Sequence, residues 1–163
     1  MLSVVVASVC LALPAHLGVT DSFRAPACER CAGNRGLELA TSEGSVVTAA
    51  LSGTASWVGP VGNRLYVVLR SASDRRVRVT YGGLASTTLQ VGDSVVAGEI
   101  VGIARAELFF GMRIGDVHVD PLRYSTAGTD RVESPESVQT RPRFRITLGG
   151  RAASACGAAL PSR

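Results

Sequence analysis

Between Asn34 and Tyr124 the apolar residues recur in short β-branched or alternating runs, each cut off by Gly, Asn, Ser or Asp, and no segment there has apolar residues at helical spacing. This constrains the fold more than any other feature of the chain. A period of two suits a strand with one buried face and cannot build an amphipathic helix. Val46–Ala50, Thr54–Val58, Leu65–Leu69 and Val77–Tyr81 are the first such runs, and Val95–Val96, Ile100–Ile103, Leu108–Ile114 and Val117–Val119 continue the series. Residues 75–81, RRVRVTY, alternate strictly, as a half-buried strand does. Gly92-Asp93 and Gly98-Glu99 punctuate apolar runs where tight turns are expected, since glycine accepts positive φ without steric cost. The pattern predicts an all-β fold, a compact sandwich or barrel of short antiparallel strands. The chain has 163 residues, 46% of them hydrophobic, which is enough to bury a core and excludes a disordered chain.

The flanks differ in character. Residues 1–18 form an apolar block of about signal-peptide length, though without a basic start, and are expected to direct export to the cell envelope or outside. The competing reading of this block is a buried N-terminal strand. Residues 19–33 are an extended approach containing Cys28 and Cys31, whose C-x-x-C spacing suits a local disulfide, with Cys156 left over. Residues 125–163 are rich in Ser, Thr and then Arg, and read as a low-complexity extension.

All 17 basic residues are Arg. Residues 1–140 hold 12 Arg against all 13 acids, whereas residues 141–163 hold 5 Arg and no acid. The surplus of positive charge therefore belongs to the tail, which is expected to meet anionic surfaces. A folded domain with this balance is expected to lack a basic face, which argues against nucleic-acid binding. Without Lys there is also no attachment point for lipoate or biotin, so the G-D-x-V-x-x-G pattern at 92–98 does not mark a carrier domain.

Four segments in order resemble the lysostaphin-type (LytM) zinc endopeptidases of peptidoglycan. GNRGLELATSEGSVVTAALSGTASWVG is similar to G-H-R-G-x-D-L-A with a following G-x-x-V-x-A-x-x-G-x-V. RLYVVLR with VRVTYGGL resembles the strand pair ending in T-Y-x-H-L. LQVGDSVVAGEIVG is close to V-x-x-G-D-x-V-x-x-G-x-x-I-G, and ELFFGMRIGDVHVDPLRY resembles H-x-H-F-G-x-R-x-G-x-x-V-D-P-L. The resemblance covers about Pro26 to Tyr124 and implies a LytM-like β domain over residues 34–124.

The resemblance also implies where a zinc site would lie, and this chain departs from it there. The family's first ligand His is Asn34, its ligand Asp is Glu38, and its last ligand His is Phe109. The assisting His positions are Glu107 and Gly83. A catalytic zinc needs three protein ligands and an open position, and of these residues only Glu38 is a plausible ligand. No zinc and no catalysis are therefore expected. Two other arrangements stay open: Glu38 and Glu107 converging as an acid/base pair, or Cys28 and Cys31 supplying thiolates to a displaced metal with Glu38 or His118. The reading these observations favour is a non-catalytic envelope domain that binds wall peptide or a wall hydrolase through Arg35, Glu38, Tyr81 and Glu107. The alternative is an active zinc endopeptidase with an altered metal site.

Overall fold

The computed structural model describes residues 10–13, 18–28 and 30–125. Over these residues nine strands join in one hydrogen-bonded network in which every pairing is antiparallel. They are β1 (Val19–Asp21), β2 (Gly36–Ala40), β3 (Val46–Thr48), β4 (Gly53–Val61), β5 (Arg64–Ser71), β6 (Val77–Ser86), β7 (Ser94–Val95), β8 (Ile100–Ile114) and β9 (Val117–Val119). A 3₁₀ turn, Pro121–Tyr124, follows; Asp120 caps it by accepting the Leu122 N–H at 3.0 Å. There is no α-helix among the described residues. The main path runs β1-β2-β8-β6-β5-β4-β7, with β3 and β9 also on β8.

Strand β8 is the spine. Its 15 residues pair with β2, β3, β6 and β9. The separate runs Ile100–Ile103 and Leu108–Ile114 belong to this one strand. Ala104 pairs with Leu84 and Glu107 with Ala40, while register shifts on either side of Leu84 absorb the mismatch. Alternation then sorts its side chains. Leu108, Phe110, Met112 and Ile114 enter the core. Leu37 and Leu39 of β2, Val67 and Leu69 of β5, and Val77, Val79 and Tyr81 of β6 meet them there. Tyr81 packs edge-on against Phe110, ring centroids 5.3 Å apart, and its hydroxyl accepts the Ala50 N–H at 2.7 Å. Tyr81 is thus a core residue with a satisfied hydroxyl, and the expectation that it borders the groove is corrected.

The two expected turns share one construction. Gly92 has φ of +100° and Gly98 of +88°. In each, the carboxylate one residue later accepts a backbone N–H three residues back: Asp93 from Gln90 at 2.8 Å and Glu99 from Val96 at 2.6 Å.

The N-terminal apolar block contributes to the same core. Leu11 is fully buried; its N–H donates to the Tyr124 carbonyl at 2.8 Å, and the Ala12 N–H donates to Ala50 at 2.9 Å. Cys10 is disulfide-bonded. Residues 1–9 and 126–163, with Cys156 and the Arg-rich tail, lie outside the described residues. Removing most of a buried Leu side chain costs about 2–4 kcal/mol. Leu11→Ala is therefore expected to lower the stability of the full chain by about that amount in urea unfolding; an unchanged midpoint would take Leu11 out of the core.

Candidate functional site

The sheet face opposite this core is set by register alone. Side chains directly opposite each other on paired strands share a face, which yields three parallel cross-strand rows. The first is Gly59–Tyr66–Gly82–Phe109–Glu38 and the second Trp57–Val68–Thr80–Gly111–Gly36. The third is Thr54–Arg70–Arg78–Arg113–His118.

Glycine in the first two rows makes room for aromatic rings. A Cβ on Gly36 would sit 2.7 Å from the Phe109 ring, and one on Gly111 would sit 2.9 Å from it. A Cβ on Gly82 would collide with the Tyr66 ring, and Gly59 lies against Trp57. The Tyr66 and Phe109 centroids are 6.4 Å apart, and Trp57 remains 39% exposed. The floor of this groove is thus an aromatic strip laid on glycine.

At the end of the strip stand the positions where the resemblance puts a zinc. Glu38 is directly opposite Phe109 and Glu107 opposite Ala40, so both carboxylates project from the same face. Thr20 Oγ1 donates to the Glu38 backbone carbonyl at 3.1 Å and lies 3.5 Å from Glu107 Oε1. Arg64 Nη2 is 3.6 Å from Glu107 Oε2, a half-exposed pair of small energetic weight. Glu38 Oε2 is buried without a hydrogen-bond partner. An orphaned carboxylate oxygen is what a lost cation would leave behind, but the other positions do not complete a site. The Asn34 amide is already engaged: its oxygen accepts the Gly36 N–H at 3.3 Å, and its nitrogen donates to the Asp21 carbonyl at 3.4 Å. Phe109 offers a ring with no lone pair. Gly83 has φ of +80°, and a Cβ there would approach the Glu107 carbonyl to 2.7 Å, so an imidazole at this position would be strained. The residues present do not fit a zinc ion, which needs three donors. Among the described residues no three His, Cys, Asp or Glu converge on one point.

The cysteine pair and the carboxylate pair have different outcomes. Cys28 and Cys31 are joined as a disulfide, with Cα atoms 4.9 Å apart, so they offer no thiolate to a displaced metal. Glu38 and Glu107 do converge. Burial, and then the Glu107 charge and that of Asp21, push the Glu38 carboxyl above the ordinary carboxylate range, against the opposing pull of Arg64.

Arg35 lies at the opposite end from Glu107. With Arg113, His118 and Asp116 it lines a cavity of about 790 Å³ beside Cys28. Burial, then Arg113 and Arg35, hold the His118 imidazole below its ordinary pKa, so it is neutral at neutral pH. The third row also corrects the expectation that the domain lacks a basic face. Net charge averages over the whole surface, whereas register places Arg70, Arg78 and Arg113 side by side. The only sequence signal was Arg at outward positions of separate alternating runs, and it has no meaning until the pairing is known.

Residues 32–121 match the family model described as Peptidase family M23. Among solved structures, a mutant catalytic domain of the prophage-encoded M23 protein EnpA from Enterococcus faecalis is 20% identical, with a TM-score of 0.57 over 69% of this chain and 94% of that one. The catalytic domain of the antimicrobial peptidase lysostaphin from Staphylococcus simulans is also 20% identical, with a TM-score of 0.57 over 65% of this chain and 90% of that one. A complex of SpoIIIAH and SpoIIQ gives 17% identity and a TM-score of 0.59, covering 70% of this chain and 96% of the matched one. Comparison with curated proteins finds no match.

The raised Glu38 carboxyl makes a signed prediction. Its folded form holds a proton more tightly than the unfolded chain does, so this group's contribution to stability falls as pH rises above the ordinary carboxylate range. Glu38→Gln, uncharged throughout, should therefore gain in melting temperature relative to wild type as pH is raised from about 4 to about 7. An equal difference at both pH values would remove the buried charge from the account.

Proposed function

The chain belongs to peptidase family M23, and we propose that within it this domain is a non-catalytic binding module of the cell envelope, one that holds a peptidoglycan peptide or a wall-hydrolase partner without cutting it. The observation that carries this reading is Phe109. The resemblance puts a ligand imidazole at this position; the ring here is seated over Gly36 and Gly111, which supports reading the place of the metal as an apolar surface. No water is brought near a neutral pKa without a metal to do so. What the groove offers instead is contact. Trp57, Tyr66 and Phe109 supply a rigid apolar strip that suits an extended chain laid across the strands. Glu38, Glu107, Thr20 and Arg64 give that strip a polar end, and Arg35 lies beyond its other side. In this reading Glu38 and Glu107 act as ligand-facing groups rather than as an acid/base pair. No cofactor and no nucleic-acid partner enter this reading.

Export remains part of the proposal. The Cys28–Cys31 disulfide suits an oxidising compartment. Leu11 packs in the core of the described residues. The Arg-rich tail would add attraction to anionic surfaces, screened by salt. A protein partner in place of wall peptide is supported by the fold alone, since one of its solved examples is a complex of two proteins.

Sedimentation with purified peptidoglycan tests the reading. Wild type should co-sediment and release no soluble peptide, while Trp57→Ala combined with Tyr66→Ala should weaken retention by about tenfold or more, given the weight of aromatic anchors in such surfaces. Chelator-sensitive release of peptide fragments by wild type would overturn the proposal in favour of an active zinc endopeptidase.

A further inference from the structure

Three arginines stand directly opposite one another on three adjacent strands: Arg70 on β5, Arg78 on β6 and Arg113 on β8. Neighbouring strands lie about 4.8 Å apart, so the bases of these side chains repeat at about that interval. Like charges in directly opposed positions oppose folding, and no carboxylate among the described residues offsets them well. Among the described residues Arg70 and Arg78 have no carboxylate partner, and Arg113 reaches only Asp116, at 3.5 Å, whose side chain is 97% exposed. The Nε atoms of Arg70, Arg78 and Arg113 are all buried with no hydrogen-bond partner. A buried donor with no acceptor carries a desolvation cost, and here the same atom bears it three times in one row. The ends of the row carry no acid either: Thr54 closes one side and His118, neutral at neutral pH, the other. Arg35 brings a fourth guanidinium to the cavity that Arg113 and His118 line.

We propose that this row is a binding site for a ligand carrying two or more neighbouring phosphate groups. Guanidinium forks match both carboxylate and phosphate, but the spacing favours phosphate. A carboxylate brings one charge and two oxygens in one plane, whereas a phosphate brings up to two charges and three acceptor oxygens arranged tetrahedrally, which reach arginines on either side of it. With the bases of these side chains about one strand apart, a phosphate can sit between two neighbouring guanidinium groups. A multiply charged anion then neutralises a cationic row that the protein itself leaves unbalanced. The site lies one row beyond the aromatic strip, across the Trp57–Gly36 row, and does not depend on whether the groove holds a peptide.

The test uses the full chain, with inorganic tripolyphosphate as the probe. Trp57, the chain's one tryptophan, shares this face and reports binding by its fluorescence. Wild type should bind saturably, and more weakly as salt rises. Arg78→Gln should weaken binding by about tenfold or more, the weight of a charge-assisted hydrogen bond. Arg105→Gln removes the same charge from an exposed site elsewhere on β8 and should leave affinity within about twofold. Because Arg78→Gln relieves like-charge crowding, it should melt no lower than wild type, which separates lost binding from lost folding. Vesicles of phosphatidylcholine with and without phosphatidylglycerol identify the source: Arg78-dependent retention on the anionic vesicles alone assigns the phosphates to a lipid surface, and its absence assigns them to a soluble ligand. Absent tripolyphosphate binding, or equal weakening by Arg78→Gln and Arg105→Gln, would overturn the proposal.

Discussion

The alternation of β8 is the constraint on which the rest of the structure depends. One strand pairs with four others, so its period of two fixes two surfaces at once. Leu108, Phe110, Met112 and Ile114 face the core, and Glu107, Phe109, Gly111 and Arg113 face the groove. A slip of one residue would exchange these sets, placing a guanidinium and a carboxylate among Leu37, Val79 and Tyr81. The groove's composition is therefore not free to drift independently of the fold. On β8, Phe109, Gly111 and Arg113 each have a buried neighbour on either side.

That coupling bears on the proposal that this peptidase-family scaffold carries a surface for holding rather than cutting. The strand framework that would present imidazoles to a metal presents a phenyl ring at position 109, and the paired glycines accommodate it flat against the sheet. Asn34 turns its amide inward to Gly36 and Asp21 and becomes a structural cap of β2. Glu38 keeps a carboxylate without company, and its proton affinity is displaced as a result. In the proposed reading these residues make an apolar strip with an acidic end where the resemblance puts a polar coordination site.

Much of this was legible in the sequence, and what was not has a physical cause. Period-two runs gave the strands away because one buried face imposes alternation locally. The turns at Gly92 and Gly98 were legible because positive φ selects glycine. Pairing was not legible, because register is a relation between distant segments. Arg70, Arg78 and Arg113 look like three scattered surface charges until β5, β6 and β8 are aligned. Tyr81 was misplaced for a related reason: its motif suggests a groove, but strand parity turns the ring inward, where the Ala50 N–H satisfies its hydroxyl. Leu11 was hardest to read. An apolar block at the start of a chain has the same composition in a leader as in a core segment, and composition does not foretell the contacts of Leu11 and Ala12 with Tyr124 and Ala50.

In the proposed reading this member of the family has exchanged a metal site for an apolar one. That claim is tested most directly by calorimetric titration of zinc into protein purified without chelator, alongside the variant Asn34→His, Glu38→Asp, Phe109→His. The account predicts no saturable uptake by wild type and measurable affinity in the triple variant, because the strands already hold the three positions on one face. Uptake of about one zinc per wild-type chain, with the three-ligand affinity of a catalytic site, would contradict it.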